Sequence, residues 1–304
     1  MTVTADFTIT YFLLLLIKRE ILRMKKYFEL FRVKHYTKNF LVFLPLIFGK
    51  KLLTDSAYAS ILGFVSFSLC SSAVYIMNDL FDIEKDRQHK TKSKRPIASG
   101  TIKPNEAVLI LIALIIISFS IQLFILRNAF SVVYISAYFI LNLAYSIRLK
   151  NIPILDVTIL MSGYVIRILF GGQIIGVEIS QWLFLTVMSA AFFAGLGKRR
   201  NEIIIQDNGS ETRTVLKYYR KEFLNKFMYI CLAISICFYS LWSINFDKKQ
   251  MVWTVPLIIV LAMKYSLDIE ALDDDDPVEI ILKDKVFMLL ATVYALLVTG
   301  IVYY

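Results

Sequence analysis

The sequence predicts an all-α, polytopic integral membrane protein of about nine transmembrane helices around a cytoplasm-facing cavity. Three observations lead there. Of its 304 residues, 58% are hydrophobic and 19% charged, with a mean hydropathy of +0.64, a composition of lipid-embedded chains. Apolar segments of spanning or near-spanning length recur along the chain, separated by polar connections. Lysine and arginine gather in every second connection, the asymmetry of a chain threaded back and forth across a bilayer. The formal charge of +10 therefore reads as topology, and no nucleic-acid partner is expected. Cys70, Cys231 and Cys237 lie inside apolar segments and read as free thiols packed as small hydrophobes. No Cys/His cluster has metal spacing, and with His35 and His89 the only histidines, no zinc or haem site is expected.

Residues 1–31 are set apart as an N-terminal extension or interfacial helix, and residues 32–304 as one transmembrane domain. Tyr11 to Ile17 is apolar but too short to span, and it lacks the basic start and small-residue cleavage site of a signal peptide. Met24-Lys-Lys reads as an ordinary cytoplasmic start, so residues 1–23 also fit an upstream extension from a start placed too early. Spans are expected at Tyr36–Phe48, Ser56–Met77, Val108–Leu126, Phe130–Tyr145, Ile152–Ile175, Trp182–Leu196, Phe227–Ile244, Met251–Tyr265 and Val286–Tyr303. Between these spans, Lys50, Lys51, Arg127, Lys248 and Lys249 fall on one side and nearly all other loop lysines and arginines on the opposite side. The positive-inside rule places the basic side, with the N-terminus, in the cytoplasm. The protein is expected in the bacterial cytoplasmic membrane, its polar constellations facing inward.

The stretch Asn78 to Gly100 carries the strongest chemical signal. It follows a spanning segment directly, and its acidic residues precede a basic run. If the helix continues two more turns, Asp79, Asp82 and Asp86 fall at i, i+3 and i+7 on one face, with Asn78 beside Asp82 and Glu84 pointing elsewhere. Like charges on one stripe call for a cation between them. Mg²⁺ suits an all-oxygen donor set and is usually held by one or two carboxylates plus substrate phosphates. Arg87, Lys90, Lys92, Lys94 and Arg95 are then placed to meet phosphate.

Other constellations lie on the same face. Arg32, Lys34, His35, Lys38 and Asn39 precede the first span, as an anchor or as a phosphate clamp. Tyr145, Arg148, Lys150 and Asp156 crowd the turn before the fifth span, where Pro153 suits a first helical turn. Asp156, Gly163 and Arg167 share one stripe of that span. An intramembrane arginine is costly and needs a polar partner. Asp156 is about 16 Å away along the axis, so an anionic substrate is the better candidate. Lys198, Arg199 and Arg200, followed by Glu202, end the sixth span. The run Asp273 to Asp276 before Pro277 reads as a solvated charge run.

Together these residues resemble the UbiA superfamily of intramembrane prenyltransferases, through the aspartate motif at Asn78, Asp79, Asp82 and Asp86. The nearer resemblance is to its decaprenyl-phosphate phosphoribosyltransferase branch. It is carried by Lys38-Asn39 with the following Leu-Val-Phe-Leu-Pro-Leu, and by Lys94-Arg-Pro-Ile-Ala-Ser-Gly100. Further matches are Tyr145-Ser-x-Arg-Leu-Lys with Leu155-Asp156, Gly197-Lys-Arg, and Asp276-Pro-x-Glu279. It covers roughly Arg32 to Tyr304. Members that use prenyl diphosphates usually carry a second aspartate-rich motif where this chain has Lys198-Arg199-Arg200.

The resemblance implies a 5-phosphoribosyl 1-diphosphate donor, a long polyprenyl phosphate acceptor and Mg²⁺ on Asp79, Asp82 and Asp86. Catalytic roles are expected for Asp79, Asp82, Asp86 and Asp156. Substrate binding is expected at Lys34, Lys38, Asn78, Lys94, Arg95, Tyr145, Lys150, Arg167, Lys198 and Arg199. Two rival readings stand beside it: prenyl transfer from a prenyl diphosphate to an aromatic acceptor, and a transporter. A homo-oligomer is left open.

Overall fold

In a computed structural model, residues 24–89, 91–207, 214–271 and 284–304 are described, all of their regular structure helical. Most of the N-terminal extension, Lys90, Arg213 and the whole Asp273–Asp276, Pro277 and Glu279 stretch lie outside the described residues. Helix α1 (residues 24–31) ends at Arg32, whose left-handed backbone (φ 50°) turns the chain into a 3-10 helix, Val33–Phe43. Helix α2 (Leu44–Phe48) continues it, with Pro45 in its first turn where no N–H is needed.

The long helices follow: α3 (Ser56–Phe81), the short α4 (Ile83–Gln88), α5 (Pro104–Ser120, extended by a π turn at Ile121–Ile125) and α6 (Ala129–Ile147). After them come α7 (Leu155–Ile175), α8 (Gln181–Asp207), α9 (Lys221–Ile244), α10 (Val255–Ala271) and α11 (Lys285–Tyr303). Side chains cap where the sequence offers them: Asn128 accepts from Ser131 N at 3.0 Å, and Asp284 from Phe287 N at 2.7 Å.

Among the described residues, seven helices are long and apolar enough to cross a membrane, which makes this an integral membrane protein. They match seven of the nine expected spans. The first, Tyr36–Phe48, is instead the end of a 3-10 helix joined to a helix of five residues. The sixth lies within α8, which is long enough, but Gln181, Lys198, Arg199 and Arg200 dilute its apolar stretch.

Helices α3 and α7 bury most of their spanning length, whereas α5 and α11 present most of theirs outward. Small residues explain the central pair. Lipid tails are as apolar as leucine, so close backbone approach and hydrogen bonds drive helix association in a membrane. Gly171 of α7 lies so close to the 3-10 helix that a Cβ there would stand 2.2 Å from the Val42 carbonyl oxygen. Ser66 of α3 and Ser118 of α5 exchange hydrogen bonds with each other's carbonyls at 2.9 Å.

At the polar end, Leu30 of α1 and Ile76 of α3 pack with Ile97 and Ile102 of the α4–α5 connection. That cluster pins the connection carrying Lys92, Lys94 and Arg95 beneath α1. At the other end Lys50 pairs with Asp247 at 3.0 Å, joining the α2–α3 and α9–α10 turns.

Candidate active site

The site is built on a helix break. Helix α3 stops at Phe81, and Asp82 takes a non-helical backbone (φ −105°, ψ 13°) before α4 begins. Asp82 N still donates to the Asn78 carbonyl at 3.1 Å, and Asp86 N to the Asp82 carbonyl at 2.8 Å, so the chain kinks without unravelling. The expectation of one continuous helix with three carboxylates on one stripe is therefore corrected. Asp79 belongs to α3, Asp86 to α4, and Asp82 stands at the joint. Glu84 is exposed and pairs with Arg87 at 2.9 Å, away from the others as expected.

The kink brings Asp79 and Asp86 together and turns Asp82 aside. Arg95 Nη1 donates to Asp79 Oδ1 at 3.0 Å and to Asp86 Oδ2 at 2.6 Å. Arg32 Nη2 also pairs with Asp79 Oδ1, its guanidinium lying over the Tyr75 ring at 4.9 Å. Both carboxylates are buried, at 3% and 4% exposure, so each requires a cationic partner. Asp82 is half-buried and takes Lys150 Nζ at 2.7 Å, across from the α6–α7 turn. The Asn78 amide oxygen is held by the Ser146 hydroxyl of α6.

Asp79, Asp82, Asp86 and Asn78 are all hard-oxygen donors, the chemistry Mg²⁺ prefers. One nitrogen bridges Asp79 and Asp86, so the two carboxylates face a common point. Those two residues fit a magnesium ion; Asp82 lies at the rim. Among the described residues no three His, Cys, Asp or Glu side chains form a ready metal cluster. The remaining ligands would come from substrate and water.

A second ionic network sits one helix pair away. Arg199 of α8, fully buried, donates through Nε to Asp156 Oδ2 at 2.6 Å and through Nη1 to Glu202 Oε2 at 2.6 Å. Its Nη2 reaches the Tyr145 hydroxyl at 3.3 Å. Asp156, also fully buried, accepts from the Tyr219 hydroxyl at 2.6 Å. The same hydroxyl accepts from Ile154 N at 2.5 Å, where the backbone adopts a strained φ of 71°. Burial and then the bond to Asp156 push the Tyr219 phenol up to about 12, so it stays protonated and keeps donating. Asp156, Tyr145 and Arg199, expected at the substrate, thus face one another. This network locks the start of α7 and with it the turn that presents Lys150.

Arg167 occupies a third setting. Its Nε donates to Asn39 Oδ1 at 2.7 Å, Nη1 to the Gly163 carbonyl at 2.7 Å and Nη2 to the Tyr138 hydroxyl at 3.3 Å. The guanidinium lies over Phe67, Tyr138 and Tyr164 at 4.9–5.9 Å. Asn39 in turn donates to Ser68 and Ser71 of α3 at 2.9 and 3.1 Å. Arg167, buried among neutral acceptors and aromatic faces, thereby ties the 3-10 helix to α3 and α7. Lys34 and Lys94 are exposed, while Lys38 and Lys198 are half-buried.

Sequence reasoning left Arg32 and Tyr219 off its site residues. Arg32 stands in a group of cations that reads equally as an anchor or a phosphate clamp, and nothing in its neighbours distinguishes it. Tyr219 lies in a connection with no motif. A shallow cavity lined by Asp247, Lys248, Lys249 and Tyr304 lies at the opposite end of the bundle and shares no residue with the site.

Comparison with known proteins fits this architecture. The UbiA prenyltransferase family is matched over residues 42–291. A decaprenyl-phosphate phosphoribosyltransferase of Corynebacterium glutamicum is 31% identical over 90% of this chain and 85% of its own length. The protein of that name from Mycolicibacterium smegmatis is 28% identical over 85% of this chain and 86% of its own. Among solved structures, a UbiA homolog from Archaeoglobus fulgidus bound to GPP and Mg²⁺ superposes with a TM-score of 0.69 at 21% identity. It covers 92% of this chain and 100% of the other. At that identity the likeness shows the fold alone.

Proposed function

Because this chain belongs to the UbiA prenyltransferase family, we propose that it transfers 5-phosphoribose from 5-phosphoribosyl 1-diphosphate to a polyprenyl phosphate, releasing pyrophosphate. One observation carries the choice within the family: the 31% identity, across 90% of the chain, to a protein named for that reaction. The basic end of α8, with Lys198, Arg199 and Arg200 in place of a second aspartate cluster, agrees with it.

Asp79 and Asp86, with Asp82 at the rim, are the residues to hold Mg²⁺ on the donor. Held there, a divalent cation would neutralise the charge that builds on the departing pyrophosphate. The chain's own residues do the rest by binding and orientation. Arg95, Arg32 and Lys150 already converge on the carboxylates and offer phosphate donors beside them. Lys34, Lys38, Lys94 and Lys198 are further phosphate candidates around the same end. As the C1–O bond to the diphosphate breaks, the ribose gains oxocarbenium character. An oxygen of the lipid phosphate forms the new bond to C1. That oxygen is anionic at neutral pH, so the step needs no strong general base, consistent with the absence of histidine or cysteine among the site residues. Asp156, Tyr145 and Arg199 act here by fixing the α6–α7 turn, and Arg167 by fixing the 3-10 helix. The reaction face is the cytoplasmic one, following the basic connections.

The test uses purified protein in detergent with Mg²⁺, labelled 5-phosphoribosyl 1-diphosphate and a polyprenyl phosphate. Mg²⁺-dependent movement of label into the organic phase, with pyrophosphate release, is the expected result. Turnover only with a prenyl diphosphate and an aromatic acceptor would overturn the choice of reaction and leave the family reading intact.

A further inference from the structure

We propose that the cavity at the end of the bundle opposite the candidate active site binds the phosphate headgroup of an anionic lipid, with an acyl chain laid along α11. None of the residues assigned to transfer takes part, and the site stands apart from the reaction.

The cavity measures about 660 Å³, within the range of about 300–1,000 Å³ that small-molecule sites occupy. Its two walls differ in character. One is polar, formed by Asp247, Lys248, Lys249 and Gln250 where the α9–α10 turn enters the short 3-10 helix Lys249–Thr254. The other is the end of α11, with Gly300 and Ile301 and the exposed Tyr304 beside them. A Cβ at Gly300 would meet nothing within 4 Å, so the glycine leaves this wall open.

Charge sets the sign of the ligand. The lysines at this end are Lys50, Lys51, Lys248 and Lys249, and lysine on the translocated side runs against the positive-inside rule. The protein itself engages the first two. Lys50 Nζ pairs with Asp247 at 3.0 Å, and Lys51 Nζ donates to the Ile175 carbonyl at 2.8 Å. The carboxylate of the cavity is thereby neutralised. Among the described residues, Lys248 and Lys249 make no ion pair, and Lys248 is half-buried. Two adjacent positive charges are left at the cavity, and an anion answers them.

Position selects a lipid over a soluble anion. Trp253 of the same 3-10 helix and Tyr304 are both largely exposed, which is the aromatic signature of headgroup depth. From the cavity an apolar stripe runs down α11: Leu289, Val293, Leu296 and Gly300 recur at i, i+4, i+7 and i+11 on one helix face. Leu289, Val293 and Leu296 are exposed. A phosphate seated on the lysines therefore has a path for its apolar tail beside it, whereas a soluble anion would use the polar wall alone. Among the seven spanning helices α11 buries the least of its length. A lipid bridging the α9–α10 turn and the end of α11 would hold that helix to the bundle.

The test follows binding in full-length protein purified in a neutral detergent. Phosphatidylglycerol, zwitterionic phosphatidylcholine and inorganic phosphate are supplied in turn. Native mass spectrometry reads the lipid retained, and the thermal midpoint is measured in parallel. Wild type is expected to retain phosphatidylglycerol at least about tenfold better than phosphatidylcholine. Its thermal midpoint should rise with phosphatidylglycerol, because a ligand held only by the folded state stabilises that state. Lys248→Gln combined with Lys249→Gln is expected to weaken phosphatidylglycerol retention at least about tenfold. Gly300→Leu keeps both cations, places a better helix former in α11 and fills the open wall, so it should weaken retention as well. If the lysine double variant is not monodisperse, Gly300→Leu carries the test. Wild-type retention in either variant overturns the proposal. So does an equal rise in midpoint from inorganic phosphate, which would make this a site for a free anion. Equal retention of the two lipids by wild type overturns it too, a readout that needs no variant to fold.

Discussion

Two ionic networks at the same end of the bundle use the same residue types and differ in access. Around Asp79 and Asp86 the cationic side chains keep a route to solvent, with Arg32 20% and Arg95 29% exposed. Around Asp156 the partner Arg199 is fully enclosed and spends its bonds on Asp156, Glu202 and Tyr145. A sealed pair braces the helices that it joins. Residues that look alike in the sequence thus stand in two settings, one sealed and one with cations open to solvent.

The sharpest way to break the comparison is to remove a carboxylate from the open network. Asp79→Asn and Asp86→Asn are each expected to lower transfer by at least about a hundredfold, since metal stabilisation of a leaving group contributes several kcal/mol. The protein should still elute as a folded species. Near-wild-type turnover in either variant at low Mg²⁺ would remove the metal assignment. Asp82→Asn, at the rim with Lys150, should cost less, about tenfold in the same assay.

The sealed network should fail in the opposite way. Arg199→Met leaves buried Asp156 and Glu202 without their cation, a loss of about 3–5 kcal/mol in stability. A large fall in thermal midpoint or in folded yield is the expected readout. A stable Arg199→Met protein with abolished turnover would move Arg199 back to the substrate. Tyr219→Phe tests the same network more gently. It removes a bond to a charged group worth about 1.5–3 kcal/mol, so a modest fall in thermal midpoint should accompany any loss of rate.

The smallest effect concerns the α10–α11 junction, outside both networks. The Lys264 ammonium beside Asp284, and then the Phe287 N–H, hold the Asp284 carboxyl below the usual carboxylate range. A carboxyl depressed in the folded state stabilises the protein above its unfolded pKa, and that contribution is lost as pH falls through its folded pKa. The thermal midpoint of wild type should therefore drop on acidification below about pH 4. Asp284→Asn should flatten part of that drop; an unchanged acid limb would show that the contact contributes nothing.

Much of the molecule was legible without coordinates. Hydropathy located seven spans because lipid demands long runs of apolar side chains with internally satisfied backbone, a constraint local in sequence. Loop charge assigned the polar constellations to one end for the same local reason. The aspartate motif was visible because carboxylates at a membrane helix end are costly and therefore stand out.

Tertiary structure alone decided what each charge is paired with. At the α3–α4 break Asp82 meets Lys150 and Asn78 meets Ser146, both 68 residues away along the chain, a pairing that no local pattern announces. Arg167 faces Asn39 and three aromatic rings because α7, α3 and the 3-10 helix pack around it. The sequence by itself determined an α-helical membrane protein with an oxygen-rich, cation-ringed face. Only the fold buried one carboxylate–arginine pair completely and left the cations of the other network within reach of solvent.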